Sequence, residues 1–176
     1  MCKILFLGTK SKIEAIGFNP DHPAFWIKEI DKSKTIIPND FESPYIYLAY
    51  TRRHCACDFS ININLPIDEN SFFVPPIQKL INIFRKATGS YDTWKTKINA
   101  RIEEDNIQRK GFLADTKKLL GVVSRKVEED GMVELFCARA NDEELIIANT
   151  SSLKIQKDKI ESILDFEEGD FIRVYK

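Results

Sequence analysis

Asp92-Thr93-Trp94-Lys95-Thr96-Lys97-Ile98-Asn99-Ala100-Arg101-Ile102 governs how the middle of this chain is read. Its apolar residues Trp94, Ile98 and Ile102 return every fourth position, the spacing that lines one face of a helix. Asp92 precedes them, where a carboxylate can accept from the orphan amides of a first turn. The same period appears upstream at Ile77, Leu80, Ile81 and Phe84, after Pro75-Pro76. Downstream it recurs at Leu119, Leu120, Val123 and Val127, with Asp115 placed as a cap. Gly89, Gly111 and Gly131 each follow one stripe, where glycine closes a helix at little cost. Three stripes and three stops predict three helices.

Strands flank this region on both sides. Lys3 to Leu7 is a short apolar run closed by Gly8-Thr9 and reads as a buried strand. Residues 17–24 are rich in Gly, Pro, Asn and Asp and read as a loop that carries His22. Phe25 to Ile30 is a further strand candidate, and Tyr45 to Tyr50 is β-favouring throughout and apolar on both faces. Met132 to Ala138 and Glu144 to Ala148 flank a hairpin connection, and Glu167 to Asp170 turns into a last strand, Phe171 to Tyr175. Strands, then helices, then strands predict an α+β fold. The expected architecture is a single domain, residues 1–176, with a mixed β-sheet and three principal helices packed on it.

The composition, 43% hydrophobic and 30% charged in 176 residues, is that of an ordinary folded chain with a real core. No apolar run approaches the length of a membrane span, and the start lacks the pattern of a signal peptide. A soluble cytoplasmic protein with no membrane partner is the expectation, and its four cysteines then imply no disulfide framework. Net charge is −1, but unevenly spread: residues 79–126 carry 12 Lys/Arg against 5 Asp/Glu, giving +7. Residues 127–176 carry 6 against 13, giving −7. The basic segment makes nucleic acid an alternative partner, although aromatic residues are not interleaved with its charges. Phosphate loops, nucleophile elbows and paired Cys-x-x-Cys motifs are all missing from the chain.

Thr51-Arg52-Arg53-His54-Cys55-Ala56-Cys57-Asp58-Phe59 holds two of the four cysteines and one of the two histidines. Zinc takes about four soft or borderline ligands, and His54, Cys55 and Cys57 could supply two or three from one short loop. Cys2, Cys137 or His22 would complete the set. Arg52, Arg53 and His54 would also favour a reactive thiolate at Cys55 or Cys57. From Cys55 to Leu65, however, apolar and polar residues alternate: Cys55, Cys57, Phe59, Ile61, Ile63 and Leu65 share one parity. A strand beginning at His54 makes both cysteines small core residues, whereas one beginning near Asp58 leaves 51–57 as a loop where the three side chains can meet. Cys137 shares parity with Val133 and Leu135 and reads as core.

Met1-Cys2 resembles the opening of the class II glutamine amidotransferases. The resemblance implies a Cys2 nucleophile activated by its own α-amine once Met1 is removed. It stops there, because Lys3-Ile4-Leu5 lacks the glycine that usually follows. The functional expectation is a binding or interaction protein, with zinc-type metal binding through His54, Cys55, Cys57 and Cys2 as its most specific form. A thiol-dependent enzyme using Cys2, Cys55 or Cys57 is the alternative.

Overall fold

The apolar runs pair side by side in the structure, a computed structural model that describes residues 2–31, 40–56, 59, 91–140, 145–146, 151–160 and 169–176. The strands are β1 (Cys2–Thr9), β2 (Trp26–Glu29), β3 (Tyr45–Tyr50), β4 (Met132–Ala140), β5 (Leu145–Ile146), β6 (Ser151–Gln156) and β7 (Asp170–Tyr175). Six of them follow the order β2-β3-β1-β4-β7-β6, and β5 pairs with the end of β4. Every pairing is antiparallel except β6 with β7, so the sheet is mixed.

The central strands bury both faces, which is why their sequences are apolar without a polar parity. Leu5, Leu7, Tyr47, Ala49, Val133, Leu135, Cys137, Ile172 and Val174 form one buried layer. Phe6, Ile46, Phe136, Ala138 and Phe171, one residue out of step, form the other. Glu134 also lies fully buried, accepting from the amides of Glu42 and Ser43 and from Arg173 Nε at 3.2 Å. Cys137 is core, as its parity indicated.

One helix, α1 (Tyr91–Asp130), packs on the first layer through Leu119, Val122, Val123 and Val127. It is 40 residues long, about 60 Å at 1.5 Å per residue. Here the structure corrects the sequence. The stripes 94–102 and 119–127 belong to this one continuous helix, not to two, and the stripe at 77–84 with Gly89 lies outside the described residues. Gly111 does not stop the helix, and Asp115 caps nothing; both lie inside it. Gly131 does stop it, with φ +78° and its amide on Val127 O at 2.9 Å.

The end of α1 is latched to the loop after β1. Asp130 Oδ2 accepts from the amides of Lys10 and Ser11, each at 2.9 Å, and Oδ1 accepts from Ser11 Oγ at 2.6 Å. Partial burial works against ionising Asp130, but the Ser11 hydroxyl, these two amides and the positive Lys126 outweigh it and hold its carboxyl below the usual range. A carboxyl with a lowered folded-state pKa contributes stability above its unfolded pKa and loses it as pH falls through the folded one. The gap in urea midpoint between the wild type and Asp130→Asn is therefore expected to narrow as pH drops below about 4. An equal gap at neutral and acid pH would show that the charge of Asp130 contributes nothing.

Candidate functional site at the Thr51–Ala56 corner

Directly after β3 the chain turns sharply. Thr51 O accepts from His54 N at 3.0 Å, and Cys55 O accepts from Thr51 Oγ1 at 2.8 Å and Thr51 N at 3.2 Å. His54 takes φ +59° to close this turn, a conformation uncommon outside glycine that histidine tolerates better than most residues. Of the two readings of residues 54–65, residues 51–56 follow the loop one, since no strand begins at His54. Phe59 is buried and meets Phe25 edge to face at 6.0 Å, while Cys57 and 60–65 lie outside the described residues.

Two arginines fasten the corner to α1. Arg52 Nε is 3.0 Å from Asp115 Oδ2, Arg52 Nη2 is 3.0 Å from Oδ1, and Nη2 also reaches Gly111 O at 2.8 Å. The backbone amides of Phe25 and Arg52 donate to the same carboxylate, each at 3.0 Å. Asp115 thus receives four hydrogen bonds while fully buried, filling its acceptor sites. Gly111 is glycine for this reason: a Cβ there would overlap the Arg52 guanidinium. Arg53 lies over the Phe112 ring, 5.0 Å from its centroid, and bonds Gln108 Oε1. Both arginines named in the thiol reading join the corner to the helix.

The remaining side chains form an aromatic group at the β2 edge of the sheet. Trp26 stacks on Tyr50 at 4.3 Å and 20°, and His54 lies 4.1 Å from Phe18 and 5.3 Å from Trp26, ring centre to ring centre. His54 is exposed; the other three are half-buried. Among the described residues Trp26 Nε1, which is buried, has no acceptor, a condition that costs about 1–3 kcal/mol. Burial, and then the neighbouring Cys55 thiol, push the Tyr50 hydroxyl above the ordinary tyrosine range.

Of the candidate ligands, Cys55 is half-buried with Sγ 3.8 Å from Lys3 O, and His54 is turned onto Phe18 and Trp26. Ala56 N donates to Lys3 O at 2.9 Å, which sets the Cys55-Ala56 backbone beside the Cys2-Lys3 backbone. His22 is exposed in its loop, where Asn19 Oδ1 accepts from the amides of Asp21 and His22. Among the described residues no three His, Cys, Asp or Glu side chains are grouped to hold a metal. Within α1, Arg101 pairs with Glu104 and Asp105, and Lys126 is buried. No helix among the described residues is long and apolar enough to cross a membrane. Compared with known proteins, the chain matches no family model, no curated protein and no solved structure.

Proposed function

We propose that this protein works by binding, and that its recognition surface is the aromatic group Phe18, Trp26, Tyr50 and His54. What supports this reading is the coincidence of two uncompensated costs in one surface cluster. His54 holds a left-handed backbone, and Trp26 holds a buried N–H with no acceptor among the described residues. Folded chains concentrate such departures from local preference where a ligand compensates them. Half-buried aromatics also supply large contact area at little entropic cost, and the neighbouring Arg53 adds positive charge. The partner class that fits is an extended polypeptide segment offering an apolar side chain to the rings and a carbonyl or carboxylate to the indole.

His54→Gly separates binding from folding, because glycine accepts the positive φ at no steric cost. Peptides selected from a random display library against the wild type are expected to bind this variant at least about tenfold more weakly, with unfolding midpoints unchanged. Equal binding to the two proteins would remove the aromatic group as the recognition surface.

A second reading, metal binding through Cys55, Cys57 and Cys2 with His54, draws support from the Ala56–Lys3 hydrogen bond that brings the two cysteine-bearing backbones together. Intact mass of reductively purified protein, taken under native and then acid-denaturing conditions, tests it. Extra mass lost on acidification would name the metal. Identical masses after exposure to zinc would leave the thiols as small apolar residues.

A further inference from the structure

Lys10 and Ser11 present two consecutive amides to one carboxylate oxygen, and the Ser11 hydroxyl serves the other. Consecutive amides facing one point form an anion-binding concavity. Behind them stands Lys126, whose side chain is only 7% exposed although it carries a charge. Its Nζ donates to Ser11 Oγ at 2.8 Å, Lys12 O at 2.9 Å and Glu129 Oε2 at 2.6 Å, so all three ammonium protons are placed. None of these bonds points into the concavity, so Lys126 acts on an anion there through space, as it does on Asp130, and by orienting the Ser11 hydroxyl. Lys10 and Lys12, both exposed, flank the concavity with further positive charge.

We infer that Lys10, Ser11 and Lys126 form an oxyanion cradle whose resident occupant is the chain's own Asp130 carboxylate, and that a phosphate-class anion competes with it. The donors suit a tetrahedral oxyanion as well as a carboxylate, because each asks only for oxygens carrying negative charge within hydrogen-bond reach. Asp130 reaches the cradle from the last position of α1, so exchange would release the helix end from the loop after β1. Glu129, 47% exposed on the far side of Lys126, is the carboxylate an incoming anion must face.

The test is a titration of inorganic phosphate, against chloride at equal ionic strength, followed through the Lys10 and Ser11 amide resonances. In the wild type these two signals are expected to move saturably with phosphate alone. In Asp130→Ala, saturation should come at about tenfold lower phosphate, the cradle having lost its competitor. Asp130→Asn serves the same purpose if the alanine variant fails to fold. Adding Ser11→Ala should raise the required phosphate again by about tenfold, the worth of one charge-assisted hydrogen bond. Repeating the titration with a phosphoserine peptide separates a free anion from a phosphate carried on a side chain, tighter binding of either one identifying the source. Absence of saturable, phosphate-specific movement in both the wild type and the Asp130 variants would overturn the inference.

Discussion

Replacing Asp115 with alanine is expected to destabilise the protein by about 3–5 kcal/mol, the cost of breaking a largely buried ion pair and leaving the Phe25 and Arg52 amides without their acceptor. Typical domains hold only about 5–15 kcal/mol in total, so this one change would remove a large share. Asp115 is fully buried, and its two oxygens accept from Phe25 N, Arg52 N, Arg52 Nε and Arg52 Nη2, all at 3.0 Å. Three segments far apart in sequence therefore meet on one carboxylate: the residue just before β2, the corner after β3, and the middle of α1. Asp115→Asn is expected to do nearly as much damage, because its amide nitrogen would point two hydrogens at groups that are themselves donors. Arg52→Ala should cost less, about 1–3 kcal/mol, since its side chain keeps 28% exposure and its loss still leaves two amides bonded. Urea unfolding of the three variants checks the ranking. A loss below about 1 kcal/mol for Asp115→Ala would mean that water or a rearranged neighbour replaces the carboxylate readily.

Sequence reasoning recovered what local pattern encodes and missed what depends on distant partners. β1, β3, β4 and β7 were legible because strands buried on both faces read as apolar runs, and Cys137 was placed correctly by parity alone. β6 was not anticipated: Ser151-Ser152 reads as loop, and Leu153 and Ile155 are too few to establish alternation. The length of α1 was concealed by Gly111, whose place inside the helix is explained by a guanidinium 59 residues earlier in the chain. Asp115 misled for the same reason. An aspartate preceding an apolar stripe is a cap by local rules, and nothing nearby in sequence announces that Arg52, 63 residues away, needs its charge. At the corner, the residues that looked chemical were conspicuous through their rarity. Phe18, Trp26 and Tyr50 were not, because aromatics on strands and loops ordinarily signal packing.

Gly111→Ala turns this difference between local and tertiary logic into a measurement of sign. Helix propensity alone predicts a gain of about 0.8–1 kcal/mol, since alanine is the better residue inside a helix. The structure predicts a loss. A methyl group at 111 would occupy the space of the Arg52 guanidinium, which is fixed there by Asp115 and by the Gly111 carbonyl itself. Displacing the guanidinium forfeits charge-assisted hydrogen bonds worth about 1.5–3 kcal/mol each in favourable settings. Set against the propensity gain, the expected net effect is a destabilisation of about 1–3 kcal/mol. The same substitution made in Arg52→Ala should reverse sign and stabilise by about 0.5–1 kcal/mol, because the methyl group then meets nothing. A coupling of about 2 kcal/mol between positions 52 and 111 across this cycle would tie the glycine to the arginine. If Gly111→Ala stabilised the protein equally in both backgrounds, the two sites would be independent, and the corner would be held by Asp115 and Arg53 without help from the close approach at Gly111.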